Sequence, residues 1–166
     1  KRLKSAGYMV TLTVVGEGSE RNNLENFITE NNLSESIILA GSKSQSEVRE
    51  FLWDSDIFLF PSVSLHFGIS TETQGLATIE AKACGLSVVV FDSGGVKYTV
   101  KDGETGFVVP EYDTEAMTSR IIKLIENDEL REKMGSQAIK FVSANYSQEV
   151  IDKKWEYLYK SLSNGK

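Results

Sequence analysis

Residues 75–91 read GLATIEAKACGLSVVVF, and the fold follows from how that stretch divides. Gly75 opens a helix built of small and apolar residues, and Ser87–Phe91 is a Val-rich run of strand character. Helix and strand in such close succession belong to a parallel sheet covered by helices.

The alternation continues outward on both sides. Strands are expected at 9–15, 36–40, 56–60 and Gly106–Val109, rich in Val, Ile, Leu and Phe and bounded by Gly, Pro, Ser or Asp. All five strands read as buried. Between them, 19–32 places Leu24, Phe27 and Ile28, with Leu33 at its end, at helical spacing, and 46–53 does the same with Val48, Phe51 and Leu52. Ser19 and Ser46 are the expected N-caps, each without an acidic partner three residues on. After Val109 come three helical stretches, 114–126, 128–145 and 147–162, and no further strand. The predicted fold is α/β: a Rossmann-like parallel sheet with helices on both faces and three C-terminal helices, in one domain over residues 1–166. KRLKSAG at 1–7 reads as the end of a helix. The first, central strand of a doubly wound sheet is therefore expected to be missing from the chain, leaving edges open at 9–15 and 56–60.

Composition narrows the function classes. A net charge of −6 disfavours nucleic-acid and anionic-membrane partners, which need clustered Lys and Arg. The lone Cys84 and lone His66 give no disulfide, no thiolate zinc cluster and too few ligands for a transition metal, so no metal site is expected. No apolar run approaches the roughly 18 residues of a membrane span, and no signal-peptide pattern is present. A cytoplasmic protein is expected.

The chemistry concentrates in the opening stretch and the loop before it. Glu80 and Lys82 are its only charges, and residues two apart on a helix face different ways, so Lys82 cannot neutralise Glu80. Leu76 and Cys84, four residues away, are apolar. Read as buried, Glu80 needs a distant cation, a cluster of donors or a polar ligand. The helix start at Gly75 leaves the amides of Gly75, Leu76 and Ala77 without intrahelical acceptors at the positive end of the dipole, a place suited to phosphate. The segment 62–74 precedes it without periodicity and supplies Ser70, Thr71, Thr73 and Gln74, with Glu72 just outside the helix. Glu72 reads equally as a ligand contact or as an ordinary acid stabilised by the dipole.

The run ETQGLATIEAKACGLSVVVFDSGG, residues 72–95, resembles the signature of the large retaining glycosyltransferase family often called family 4 or group 1. Glu72 and Glu80 have its Glu, seven residues, Glu spacing. VVGEGSE (14–20), ILAGSKSQSEV (38–48), DIFLFPS (56–62) and DGETGFVVP (102–110) match its flanking features in order. The resemblance implies the C-terminal, donor-binding domain of a two-domain enzyme of GT-B architecture. It implies that Glu80 accepts the ribose hydroxyls, that the amides of Gly75, Leu76 and Ala77 hold the distal phosphate, and that Glu72 lies beside the transferred sugar. Gln74 would add a donor contact, and Gly41, Ser42 and Lys43 would lie near the base. The donor would be a UDP- or GDP-type sugar nucleotide, with no cofactor and no metal. A glycan or lipid-linked acceptor would enter through a domain missing from this chain, peripherally at the inner face of the membrane. Two features depart from the family. Its Pro-Glu pair after the Gly-Gly turn is Lys97-Tyr98 here, and its phosphate-binding Arg and Lys fall upstream of Lys1. The chain alone is therefore expected to bind donors weakly and to transfer nothing. The alternatives are a non-catalytic nucleotide-binding module and part of a nucleotide-sugar epimerase.

Other features have plainer readings. Asp54-Ser55-Asp56 is a literal Asp-x-Asp but falls between a helix and a strand, where it reads as a turn. Gly16-Glu17-Gly18 is a tight turn after a strand, lacking the third glycine of a dinucleotide fingerprint. His66 reads as a surface residue and Cys84 as a small packing residue. Trp155, Leu158, Tyr159 and Leu162 form a helical stripe expected to pack on a domain surface.

Overall fold

The computed structural model describes residues 1–64 and 73–163, and the chain divides into two compact units, Lys1–Asp54 and Ser55–Lys166. In the first unit α1 (Arg2–Ser5) precedes β1 (Leu12–Val15), α2 (Arg21–Glu30), β2 (Ile37–Gly41) and α3 (Gln45–Trp53). β1 and β2 pair in parallel, Leu12 opposite Ile37. The cap of α3 is Ser44, not Ser46. Its Oγ accepts from the Glu47 N–H and its own N–H donates to the Glu47 carboxylate, a full capping box. Those bonds from Ser44 hold Glu47 below the usual carboxylate range. Both serines precede the apolar residues, but only Ser44 has a glutamate three positions on. α2 starts after Glu20, with no side-chain cap from Ser19.

The burial expected of all five strands is not found in this unit. Leu12 is 40% and Ile38 51% exposed. Two short paired strands enclose little surface, and among α2, α3 and their flanks only Ile28, Leu33, Gly41 and Leu52 are buried.

The second unit contains β3 (Ile57–Phe60), α4 (Leu76–Ala83), β4 (Ser87–Phe91), a single 3-10 turn (Val96–Thr99), β5 (Gly106–Val109), α5 (Thr114–Ile125), α6 (Asp128–Tyr146) and α7 (Gln148–Ser163). Its three strands are parallel in the order β3-β4-β5, with Ile57 opposite Ser87 and Val88 opposite Gly106. β4 is the core. Val88, Val89 and Val90 are fully buried, and α4, α5 and α6 pack on this strand. A strand covered on both faces tolerates only apolar side chains, which is why its run does not alternate. Asp113 and Asn127 cap α5 and α6 through the N–H groups of Ala116 and Leu130.

Among the described residues β1 and β3 each bond a neighbour on one side only. No helix there is long and apolar enough to cross a membrane. The stripe on α7 does not pack as expected. Trp155 and Leu162 are 54% and 67% exposed, and the Trp155 ring stacks on Tyr159 of its own helix.

Candidate functional site

In a parallel sheet every strand ends at the same edge, and the residues just beyond collect there. In the second unit that edge carries Ser64 after β3, Asp92 to Val96 after β4 and Glu111 after β5. α4 starts beside it at Gly75, whose φ of 64° and ψ of 48° lie in the left-handed region that glycine enters without steric cost. The Gly75 carbonyl accepts from the N–H of Thr78 at 2.9 Å. The amides of Leu76 and Ala77 come before that bond, so they have no acceptor within the helix and face the positive end of its dipole.

Leu76, Glu80 and Ala83 share one face of α4, spaced by four and three residues, and that face is exposed. Glu80 was expected to be buried. Instead it is exposed, and its carboxylate makes no ion pair or hydrogen bond among the described residues. The buried charge of the stretch is Lys82, fully enclosed on the opposite face. Its Nζ donates to the Thr99 carbonyl and lies 3.8 Å from the centroid of the Phe141 ring. Burial, with Lys101 nearby, pushes Lys82 down to about 8. A lysine can bury its long stem while its ammonium finds partners far along the chain. Glu80 has a shorter stem and sits on a face that no element covers among the described residues.

The Gly94-Gly95 turn lies against the segment that leads into α4. A Cβ on Gly95 would stand 1.8 Å from the Thr73 carbonyl oxygen. Val96 in turn touches Gly75, 3.2 Å from where its Cβ would be. The turn therefore sets the height of the helix start. Thr73 and Gln74 are exposed on it. Lys97, in place of the family's proline, pairs with Asp92 at 3.0 Å, and the bond from Asp92 raises its pKa. Tyr98, in place of the acid, is 74% exposed. Glu72 and His66 lie outside the described residues.

One contact at this edge joins two residues that sequence reasoning did not single out. Ser64 donates to the Glu111 carboxylate twice, from its N–H at 3.1 Å and from its Oγ at 2.7 Å, and its Oγ lies 3.4 Å from the buried Ser93 Oγ. The Ser64 bonds hold Glu111 below the usual carboxylate range. The partners are 47 residues apart, beyond any helical or turn spacing.

In the first unit, Gly41, Ser42 and Lys43 follow β2, and Gly16 to Gly18 follow β1. The Gly16 N–H donates to the Gly41 carbonyl at 2.9 Å, and the Glu17 carboxylate, paired with Arg21 at 2.8 Å, lies over Gly41. Lys43 pairs with Glu47 at 3.7 Å. The tight turn expected at 16–18 falls instead just after it, where the Arg21 N–H donates to the Gly18 carbonyl at 3.2 Å, and Gly16 is a bend. The turn reading of Asp54 and Asp56 holds: they end α3 and precede β3.

The Thr78 Oγ1 is buried without a hydrogen-bond partner among the described residues. Thr78→Val keeps the shape and removes an unpaired hydroxyl, so unfolding by denaturant should show a gain of about 1 kcal/mol. A loss of that size would mean the hydroxyl has a partner.

The family model described as Glycosyl transferases group 1 matches residues 1–141. The chain belongs to the group 1 glycosyltransferases. The capsular polysaccharide biosynthesis glycosyltransferase CapM of Staphylococcus aureus is 31% identical over 98% of this chain and 40% of its own length. A variant of S. aureus TarM, whose structure contains UDP, is 28% identical with a TM-score of 0.82, covering 95% of this chain and 30% of that one. The C-terminal domain of a group 1 family protein, LpcC of Francisella tularensis, shares the fold at 23% identity and a TM-score of 0.70, covering 83% of this chain and 70% of that domain. The chain thus spans less than half of CapM and TarM, and its fold is that of the C-terminal domain of GT-B enzymes.

Proposed function

We propose that this chain is the donor-binding part of a retaining glycosyltransferase that moves a sugar from a nucleoside diphosphate to a hydroxyl acceptor. The observation that carries this reading is the start of α4, where two amides without intrahelical acceptors precede an exposed Glu80 on the same helix, whose carboxylate has no ion pair or hydrogen bond among the described residues. The amides of Gly75, Leu76 and Ala77 would hold the distal phosphate. Glu80 would accept from both ribose hydroxyls. Gly41, Ser42 and Lys43 would border the base, and Gln74 the phosphate or sugar.

As the glycosidic bond breaks, negative charge grows on the leaving diphosphate. Amides and a dipole already aimed there stabilise that charge more than they stabilise the bound substrate, which is the condition for catalysis. In this reading the step calls on no metal. Glu72 would orient the sugar and stabilise positive charge developing on its ring. The UDP held by TarM supports a UDP- or GDP-type donor. The acceptor, a glycan or a lipid-linked one, would come from a part of the protein outside this chain. A cytoplasmic location, peripheral to the membrane where a lipid-linked acceptor is used, belongs to the same proposal.

The test is an assay of the full-length protein with UDP- and GDP-sugars and hydroxyl acceptors, reading the anomeric configuration of the product by NMR. Transfer with retention is expected; inversion at the anomeric carbon contradicts the mechanism. Donor binding without turnover would favour the non-catalytic module, which the Lys97-Tyr98 replacement motivates, and ring epimerisation without acceptor would favour an epimerase. Glu72→Ala should lower kcat at least about 10-fold while nucleotide affinity stays within about threefold. If affinity falls and kcat does not, Glu72 and Glu80 have each other's roles.

A further inference from the structure

We infer that Lys82 is a positioning residue for the donor's distal phosphate: together with Thr99 it holds the turn after β4 against α4, and that turn sets where the start of α4 stands. The inference rests on the function proposed above and adds a residue to it. The turn meets α4 at two places. At one, the Lys82 ammonium, enclosed on the covered face of the helix, donates to the carbonyl of Thr99, the last residue of the 3-10 turn. At the other, about two helical turns nearer the N-terminus of α4, Val96 is fully buried against Gly75, its Cα 3.4 Å and its Cγ2 3.2 Å from where a Gly75 Cβ would stand. Thr99 joins the two places. Its hydroxyl donates to the Val96 carbonyl at 2.7 Å, and the Val100 N–H closes back onto the Lys97 carbonyl at 3.3 Å, so the turn is braced from within. A buried ammonium is costly, and among the described residues the partners of Lys82 are one carbonyl and one aromatic ring. An apolar side chain of the same length would fill the space beside Phe141 without that cost, but it would not hold Thr99. A charge-assisted bond fixes the direction of its acceptor, which packing alone does not. The amides of Leu76 and Ala77 follow Gly75 directly, and hydrogen bonds weaken steeply once distance or angle leaves the favoured range. A turn that drifts at Thr99 therefore moves Gly75 and takes the donors away from the phosphate.

The test is calorimetric titration of the full-length protein with UDP and UMP, and with GDP and GMP, because only the diphosphates carry the phosphate that reaches the start of α4. Lys82→Met removes the donor and keeps the length of the side chain. It is expected to weaken binding of the preferred diphosphate about 10-fold while the matching monophosphate stays within about threefold, with stability in urea at pH 7 near that of wild type. A purely structural loss would lower both affinities in step. Lys101→Met is the control for charge. Lys101 also lies near the Phe141 ring, at 5.9 Å, but its side chain is exposed and pairs with Glu104 at 3.8 Å, so the variant should keep both affinities within about threefold. Thr99→Val leaves the Lys82 bond in place and removes the one to Val96. It should show the same selective loss of the diphosphate, and it carries the test if Lys82→Met does not fold. Equal loss of diphosphate and monophosphate binding in Lys82→Met, loss of neither, or a Lys101→Met protein as weak as Lys82→Met overturns the inference. So does a Thr99→Val protein with both affinities unchanged, since Val96 is then not held through Thr99. A wild type that binds neither UDP nor GDP would overturn the proposed function and this inference together, whereas each of the other outcomes leaves the proposed function standing.

Discussion

Gly95→Ala is expected to cost the protein on the order of 3 kcal/mol and to abolish nucleotide binding. The added Cβ would stand 1.8 Å from the Thr73 carbonyl oxygen and 2.6 Å from its carbon. Both are backbone atoms, which cannot turn aside as a flexible side chain would. The Gly94-Gly95 turn must retreat or Thr73 must move, and Thr73 leads directly through Gln74 into Gly75. Either shift displaces the amides that start α4. Gly95 has an ordinary φ of −82°, so the cost is one of space and not of backbone conformation. Gly18→Ala is the control, since nothing lies within 4 Å of its added Cβ, and it should change stability by less than about 0.5 kcal/mol. Thermal unfolding and nucleotide titration of both variants check the pair. A Gly95→Ala protein with wild-type stability and affinity would show that the turn does not support the helix start.

The second large effect is one of pH. Lys82 is buried with a carbonyl and an aromatic face but, among the described residues, no carboxylate, and burial pushes its pKa down from 10.5 to about 8. Below pH 8 the folded and unfolded chains both hold its proton, and the cost of burying the charge is present in full. As pH rises above 8 the folded protein releases the proton while the unfolded chain keeps it to about 10.5, so that cost is relieved. Relative to Lys82→Met, wild type is therefore expected to gain about 2.5 kcal/mol between pH 7 and pH 10. At pH 7 the two should be close, because the methionine removes the buried charge but leaves the Thr99 carbonyl without its donor. Urea unfolding at both pH values decides it. Parallel stability curves for the two proteins would show that Lys82 keeps an ordinary pKa.

How far the sequence could be read depends on where each residue's partners lie. β4 and β5 match their sequence limits to the residue, because Ser87–Phe91 and Gly106–Val109 are short apolar runs with sharp ends. The helix start at Gly75 was legible for a local reason, the need of a small-residue helix for an opening residue. Burial was less legible. Leu76 faces solvent although apolar, and Lys82 is enclosed although charged, because the elements that cover α4 are supplied by α6 and by the turn after β4. The sequence separates these from Lys82 by 17 residues for Thr99 and further for Phe141. The Glu111 and Ser64 contact was invisible for the same reason. Its only trace was that both residues follow strands and so share the ligand-bearing edge. The β1 and β2 runs have strand composition, but composition reports pairing and not how much cover a strand receives.

The central claim is that the face of α4 bearing Glu80 binds the nucleoside of a sugar donor. Calorimetric titration of the full-length protein with UDP and with GDP, comparing wild type with Glu80→Gln, tests it most directly. An amide is a poorer acceptor for two ribose hydroxyls than a carboxylate, so the variant should bind the preferred nucleotide about 10- to 100-fold more weakly with its fold unchanged. Among the described residues the Glu80 carboxylate makes no hydrogen bond or ion pair that the substitution would remove. Equal affinity of the two proteins for both nucleotides would contradict the assignment.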